Sequence, residues 1–448
     1  MNIMELPTIN NTLIRNGFLV LPEQVLQADL RLAGGLIQAL NPHLSPLPGE
    51  QVIDAKGSYI LPGFIDIHNH GALGFDFTLG TYHELGDRFE EDELSYQNGI
   101  TRVLGYFLRQ GATRILATTL AAPVPDLLQA FRSIDQYIRR DPSGLAAALA
   151  GINLEGTFIK DATFAGAQNP EYFQPASASL FDRLQDAAGG HIRIANIPAE
   201  HGPSGLDLIR HLVDKGVTVA GGHSGAYAAD THKAIDAGMH LAVHYFNGPN
   251  RQSYKTFHQG GTMEAFLVRD EVSLELIVDG YHISPAYVLD AINRKGTERI
   301  IAITDSLFVS GSTSISTFSL ADIPGMVSAD KQYLKVRGQD DTLFGSILTP
   351  IKGFSNLLNW MTREMEGVWY RKHPHLPFHD ALNRISQMMS GNPAKLLGLD
   401  KALSGRAATG KIATGHLGDL IIMDLPHSAS DSYQPVLKHC FLAGKMIY

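Results

Sequence analysis

The chain has 448 residues, of which 44% are hydrophobic and 18% are charged, so it can bury a large core. Its formal net charge of -9 provides no overall positive field for a phosphate backbone, and we expect no nucleic-acid partner. A single cysteine excludes an intrachain disulfide, and the absence of a leader pattern or a membrane-length apolar run predicts a cytoplasmic protein without a membrane partner.

Short strands are predicted at both ends of the chain. Residues 12–55 contain apolar, β-branched runs separated by turn residues, and residues 418–442 show the same pattern. We therefore predict a small β-sandwich domain built from both chain termini, with limits at residues 1–56 and 405–448.

The middle of the chain, residues 57–404, alternates predicted strands with predicted helices such as 204–215 and 226–237. This alternation indicates parallel strands. Eight strand–helix units favour an α/β fold of the (β/α)8 TIM-like barrel type over a doubly wound open sheet. Residues 309–349 predict an insertion of strands and loops, and two last helices are predicted at 351–366 and 379–397. The eight apolar runs are 59–67, 113–119, 149–154, 192–197, 218–220, 241–243, 274–278 and 299–303.

Five short polar motifs each lie at the end of one of these apolar runs. Active sites of (β/α)8 barrels lie at the C-terminal ends of the strands, so motifs at these positions meet at one mouth. An open sheet would not explain motifs after so many different strands. The motifs are Asp66-Ile67-His68-Asn69-His70-Gly71, Leu154-Glu155-Gly156, Gly222-His223-Ser224, His244-Tyr245-Phe246-Asn247 and Thr304-Asp305-Ser306.

The histidines and the glutamate of these motifs are candidate metal ligands. His68 and His70 lie two positions apart on a predicted strand, so both point into the barrel. Glu155, His223 and His244 end three further runs, and imidazole and carboxylate groups that converge at a barrel mouth can bind a divalent ion. Taken singly, each has an ordinary alternative, namely a chance histidine pair, a helix-capping acid or a core histidine.

Two further side chains are candidate catalytic groups. Asp305 ends the eighth run, where a carboxylate can take a proton from a metal-activated water and pass it to the leaving group. An N-cap of the following segment is its structural alternative. His282 lies just after the seventh run and is predicted either to orient substrate or polarise a carbonyl, or to be an exposed loop residue.

Together the motifs resemble the amidohydrolase superfamily, and within it the N-acetylglucosamine-6-phosphate deacetylase family. The resemblance covers nearly the whole chain and implies a barrel with a small β domain. Besides the five motifs above, it rests on Pro62-Gly63-Phe64-Ile65, Pro198-Ala199-Glu200, Ile277-Val278-Asp279-Gly280-Tyr281-His282, Asn392-Pro393-Ala394 and Gly418-Asp419-Leu420.

The resemblance implies one or two divalent metal ions per chain, with zinc the expected metal. Glu155, His223 and His244 match the residues that hold the main catalytic ion. His68 and His70 match the first-strand histidines of members that hold a second ion.

The resemblance also implies roles in catalysis and substrate binding. Asp305 matches the general acid/base and His282 the substrate-contacting histidine. Asn247 and Gly248 fall where the family binds substrate, partly through the backbone.

One position departs from the family pattern. The family usually has an arginine that grips the substrate phosphate, and His258 stands at the matching place here, with Arg251 and Lys255 nearby. A neutral imidazole is a poorer phosphate clamp than a guanidinium. Residues 84–109 have no predicted role.

The leading functional hypothesis is metal-dependent hydrolysis of the N-acetyl group of an amino-sugar 6-phosphate, most specifically N-acetylglucosamine 6-phosphate. The alternatives are a deacetylase or deacylase of an unphosphorylated N-acetyl sugar or N-acyl amino acid, and a non-catalytic sugar-binding protein. The last alternative predicts decayed ligand positions, whereas every one here carries a competent residue. The resemblance also implies a homodimer.

Overall fold

The computed structural model describes residues 11–90, 92–247, 254–339, 341–368, 372–403, 405–429 and 431–448. The first five strands belong to one sheet in which the first strand is central. That strand runs antiparallel to the second and parallel to the fourth and fifth. The strands are β1 (Thr12–Val20), β2 (Val25–Ala33), β3 (Leu36–Asn41), β4 (Gln51–Asp54) and β5 (Tyr59–Pro62).

The next strand, β6 (Phe64–Asn69), is the first strand of the barrel and is buried along its whole length. A four-stranded antiparallel sheet follows it at the mouth, before the first helix. These elements are β7 (Gly71–Ala72), β8 (Phe75–Asp76), β9 (Gly80–His83), β10 (Arg88–Glu90) and α1 (Glu93–Arg109).

Seven further parallel strands complete the barrel, in the same spatial order as in the sequence. Six helices lie in the connections between them. The strands are β11 (Ala112–Thr119), β12 (Leu149–Leu154), β13 (Ile192–Asn196), β14 (Thr218–Gly221), β15 (Met239–Ala242), β16 (Ser273–Ile277) and β17 (Ile300–Ile303). The helices are α2 (Val124–Arg140), α3 (Ala178–Ala187), α4 (Pro203–Asp214), α5 (Ala228–Asp236), α6 (Thr262–Val268) and α7 (Pro285–Lys295).

Backbone hydrogen bonds join the first and last barrel strands. The amide of Asp305 donates to the carbonyl of His68 at 2.8 Å, and the amide of His70 donates to the carbonyl of Ser306 at 2.7 Å. Apolar side chains such as Ile67 and Ile301 fill the interior below these bonds. The eight-stranded parallel barrel predicted from the sequence is thus confirmed.

The segment after the barrel contains the predicted insertion and the last helices. The insertion is a three-stranded antiparallel sheet that packs on the β7–β10 sheet through Tyr82, Phe308 and Phe318. A π-helical turn, Gln387–Gly391, joins the last two helices. The elements are β18 (Thr317–Leu320), β19 (Ile323–Val327), β20 (Leu334–Val336), α8 (Pro350–Met361), β21 (Met365–Glu366), β22 (Lys372–His373), α9 (Phe378–Ser386) and α10 (Asn392–Leu396).

The chain returns at its end to the sheet in which it began. Strands β23 (Leu420–Asp424), β24 (Val436–Leu442) and β25 (Lys445–Met446) extend that sheet from β5. A β-rich unit built from both ends of the chain is therefore confirmed, while the domain limits at residues 56 and 405 stay predictions. Among the described helices, none is both long and apolar enough to cross a membrane.

The apolar run at residues 59–67 belongs to two different sheets. Its first part is β5, which pairs with β1 and β23, and only β6 enters the barrel. Both strands are almost wholly buried, so the hydrophobic pattern continues across the boundary and does not reveal it.

Candidate active site

The predicted ligands and the predicted acid/base meet at the C-terminal end of the barrel. His68 lies in β6 and His70 directly follows that strand, whereas the other four residues follow the ends of β12, β14, β15 and β17. Each is at most 7% exposed. The side chains that meet here are His68, His70, Glu155, His223, His244 and Asp305.

Glu155 stands at the centre of this cluster. Its Oε1 lies 3.0 Å from Nε2 of His244, 3.3 Å from Nε2 of His68 and 3.4 Å from Nε2 of His223. The Nε2 atoms of His223 and His244 are 3.1 Å apart. Three imidazoles on three different strands therefore direct the same ring atom at one carboxylate oxygen.

His70 and Asp305 form the other side of the cluster. Nε2 of His70 lies 3.3 Å from Oδ1 of Asp305 and 3.6 Å from Oε2 of Glu155. The same aspartate oxygen is 3.6 Å from Nε2 of His68. His68 therefore lies between Glu155 on one side of the cluster and Asp305 on the other.

Electrostatic interactions keep both carboxyls of the cluster ionised. Burial alone would raise the pKa of Glu155, but the charge of His68 and hydrogen bonds from His223 and His244 hold that pKa well below its usual range. The pKa of Asp305 is lowered in the same sense, since a hydrogen bond from His70 and the charge of His68 outweigh burial.

The donor set fits a divalent metal ion. Nε2 of His68 is buried and makes no hydrogen bond to any described residue, although the Glu155 oxygen is nearby. Ligand atoms of His68, Glu155 and His244 lie within 4.8 Å of one another, as do those of His68, His70 and Asp305. Imidazole nitrogens and carboxylate oxygens together are a donor set that zinc accepts.

The backbone is strained where it presents these groups. His223, His244 and Asp305 have φ values of 49°, 25° and 52°, in the left-handed region that non-glycine residues rarely adopt. Such conformations concentrate at functional sites and persist where surrounding contacts hold them. Gly222 allows the close approach at this point, because a Cβ there would lie 2.7 Å from Cβ of Val243.

Two buried residues that the sequence did not single out hold the ligands in place. Nε2 of Gln168 donates to Oε2 of Glu155 at 2.7 Å, and its amide oxygen accepts from the backbone of Ala121. Glu275, in β16, contacts His68 and His244. The one sequence signal for Glu275 is a carboxylate inside an apolar strand.

A cavity of about 610 Å³ opens above the cluster. Asn247 and His282 line it, and the Asn247 amide donates to the carbonyl of His282 at 3.1 Å. Nδ1 of His282 lies 2.7 Å from Asp279, and its side chain is only 5% exposed. Residues 342–345, from the insertion, form part of the wall.

The candidate phosphate contacts do not appear in the described wall of the cavity. His258 stacks on Tyr227 with ring centroids 3.6 Å apart and does not line the cavity. Nζ of Lys255 lies 6.0 Å from the Phe257 ring centroid. Gly248 and Arg251 lie outside the described residues.

The sequence of residues 59–447 matches the amidohydrolase family. The chain belongs to the amidohydrolase family. Amidohydrolases of this superfamily are metal-dependent, in agreement with the donor cluster, and the chain is accordingly a hydrolytic enzyme.

Known proteins match the sequence of this amidohydrolase over most of its length. It is 29% identical over 426 residues to the N-acetylglucosamine-6-phosphate deacetylase of Bacillus subtilis (strain 168), which covers 92% of this chain and 90% of that protein. It is 28% identical to the N-acetylgalactosamine-6-phosphate deacetylase of Escherichia coli O157:H7, over 86% of this chain and 89% of that one.

A solved structure shows the same architecture. A mutant N-acetyl-D-glucosamine-6-phosphate deacetylase of Mycobacterium smegmatis, in complex with N-acetyl-D-glucosamine 6-phosphate, superposes with a TM-score of 0.77 at 25% identity. The match covers 98% of this amidohydrolase and 99% of that chain.

Proposed function

We propose that this enzyme hydrolyses the N-acetyl group of an amino-sugar 6-phosphate, converting N-acetylglucosamine 6-phosphate to glucosamine 6-phosphate and acetate. The observation that carries the proposal is the convergence of Glu155 and four histidines with Asp305 at the floor of one cavity. The relatives named above, which match most of the chain, support the substrate class.

We assign the main ion, zinc, to Glu155, His223 and His244, with a second ion on His68 and His70. A bound zinc ion acts as a Lewis acid and lowers the pKa of a coordinated water. The ionised state of Glu155 suits a ligand role, because only the carboxylate form donates electron pairs from both oxygens.

Asp305 and His282 carry the proton transfer and the substrate orientation. The ionised Asp305 carboxylate takes a proton from the attacking water and delivers it to the amine nitrogen as the C–N bond breaks. Asp279 holds Nδ1 of His282, so the ring presents its other nitrogen to the substrate.

We propose that Arg251 or Lys255 contacts the phosphate. No lysine or arginine occurs among the described residues that line the cavity, and His258 is engaged with Tyr227. A charge-assisted hydrogen bond contributes about 1.5–3 kcal/mol. Either Arg251→Gln or Lys255→Gln should therefore raise KM for the phosphorylated sugar about tenfold or more. His258→Phe, which preserves the stacking, should leave it unchanged.

The decisive experiment measures acetate release from N-acetylglucosamine 6-phosphate, N-acetylgalactosamine 6-phosphate, free N-acetylglucosamine and an N-acetyl amino acid. We expect kcat/KM for a phosphorylated sugar to exceed that for the free sugar by at least about tenfold. Equal values for the two sugars would refute the phosphate requirement. Acetate release from the amino acid alone would identify an acyl-amino-acid hydrolase instead.

We also propose a homodimer, which rests on the family resemblance. Light scattering coupled to size-exclusion chromatography should give a mass of twice the 48.7 kDa of one chain. A mass of a single chain over a wide range of concentrations would exclude it.

A further inference from the structure

A buried carboxylate lies beneath the proposed metal centre. Glu275 is fully buried in the middle of β16, and its side chain enters the barrel interior. Oε2 of Glu275 lies 3.0 Å from Nδ1 of His68 and accepts a hydrogen bond from the backbone amide of His244 at 3.0 Å. Its backbone carbonyl accepts from the amide of Tyr245.

These contacts link strands that are not all neighbours. His68 belongs to β6, and β17 lies between that strand and β16 in the barrel. The Glu275 side chain therefore reaches across the interior to His68 while it also fixes the strained turn that carries His244. Oε2 of Glu275 thus contacts His68, which belongs to the proposed second ion site, and His244, which belongs to the main one.

The hydrogen bond to Nδ1 decides which nitrogen of His68 can bind metal. Oε2 of Glu275 already accepts from the His244 amide, and as an acceptor for His68 as well it places the proton of a neutral His68 ring on Nδ1. In the neutral ring, the form that binds a metal ion, the lone pair then lies on Nε2, the atom directed at Glu155 and Asp305. A carboxylate behind a metal-binding histidine fixes its tautomer and orientation in this way.

We propose that Glu275 is a positioning residue of the metal centre, which fixes the ring of His68 and the backbone of His244 so that both present Nε2 to the same carboxylate. The inference rests on the proposed function, because it takes these histidines as metal ligands. A polar group buried among apolar side chains costs stability unless it is hydrogen-bonded, and Oε2 of Glu275 contacts both the His68 ring and the His244 backbone amide.

The test compares metal binding by Glu275→Gln with that of the unaltered enzyme. Each metal-free protein competes with a chromogenic chelator for Zn²⁺, and the Co²⁺-loaded form is examined by its visible absorption spectrum. Loss of such a carboxylate typically weakens metal binding about 10–100-fold. We expect that loss in Glu275→Gln together with an altered Co²⁺ spectrum.

Glu50→Gln is the matched control. Its side chain is equally buried, but it pairs with Arg31 in the terminal sheet and contacts none of the ligands. Unchanged affinity in Glu275→Gln, or an equal loss in Glu50→Gln, would overturn the proposal. The assay contains no substrate, so an enzyme that binds metal normally but releases no acetate refutes the proposed function alone.

A measurement on the unaltered enzyme removes any dependence on folding of the variant. Nitrogen-15 NMR of the zinc-loaded protein with labelled histidine should show His68 protonated at Nδ1 and bound through Nε2. A proton on Nε2 of His68 would overturn the proposal.

Discussion

Asp305 is the residue whose chemistry is most directly testable. It is buried, it faces His70 and His68, and its pKa is lowered, so it is ionised and ready to accept a proton at neutral pH. Asp305→Asn preserves the shape but cannot act as a base. Loss of general acid/base catalysis costs about 10²–10⁴-fold, so kcat for acetate release should fall by that factor while the metal content is unchanged. A variant that keeps near-normal kcat with metal bound would assign the proton transfer to another group.

Removal of the metal should abolish activity reversibly. The cluster consists of carboxylates and imidazoles. None of these described side chains can replace a metal ion as the Lewis acid. Dialysis against a chelator should therefore eliminate acetate release, and Zn²⁺ should restore it. Elemental analysis accompanies the assay. Full activity in the chelator, with no transition metal detected, would contradict the metal assignment.

The sequence predicted these ligands because each one lies at or just after the end of a strand, where position alone assigns it to the mouth of the barrel. Glu275 and Gln168 escaped this reasoning for physical causes. Glu275 lies within β16 rather than after it, and its partner His68 is some 207 positions away in the chain. Gln168 reaches Glu155 from an irregular loop. Contacts of this kind depend on how strands and loops are arranged around the barrel, which local patterns do not encode.

At the level of elements, the segment without a predicted role, residues 84–109, supports the mouth. Its helix α1 packs on the small β7–β10 sheet that follows His70. A Cβ at Gly99 would overlap the buried ring of Phe75, whereas one at Gly105 would have only an Arg109 nitrogen at 3.6 Å. Packing of the helix therefore requires a glycine at position 99 but not at position 105.

Alanine at these two glycines should have opposite effects on stability. Gly99→Ala overpacks the contact with Phe75 and should destabilise the protein by about 1–3 kcal/mol. Gly105→Ala, in the same helix, should stabilise it by about 0.5–1 kcal/mol because alanine loses less backbone entropy. Urea-induced unfolding followed by circular dichroism measures both changes. Equal changes would show that Phe75 moves aside without cost.

Most barrel strands were predicted close to their observed limits, whereas the shortest strands at the mouth were not predicted. Strands β11 and β12 and helix α4 lie within one residue of the predicted limits, because their hydrophobic pattern is long enough to define a period. Helix α8 begins next to the predicted start at residue 351 but ends at Met361, well before the predicted end at residue 366. Strands β7 and β8 have two residues each and carry no such period. These two strands form because they pair within the β7–β10 sheet and pack on α1, and both are tertiary interactions.

At the scale of the whole molecule, a buried ion pair joins the barrel to the terminal sheet. Arg114, in β11, donates to Asp419, just before β23, at 2.8 Å. The same carboxylate accepts from the hydroxyl of Thr409 at 2.8 Å and from the amide of Ala443 at 2.7 Å. The Gly418-Asp419-Leu420 motif, noted in the sequence as part of the resemblance, therefore has a structural role away from the cavity.

Removal of one member of this pair leaves the other charge buried without compensation, which costs about 3–5 kcal/mol. Asp419→Asn keeps a side chain of the same shape but removes the charge, so it should lower the unfolding free energy by this order. Adding Arg114→Met to the Asp419→Asn variant removes the guanidinium that has lost its partner, and should restore part of the lost unfolding free energy. A double-mutant cycle by urea unfolding, with Asp419→Asn, Arg114→Met and the double variant, measures the coupling. Effects that add within about 0.5 kcal/mol would show that the two side chains act independently, and that other contacts hold the terminal sheet against the barrel.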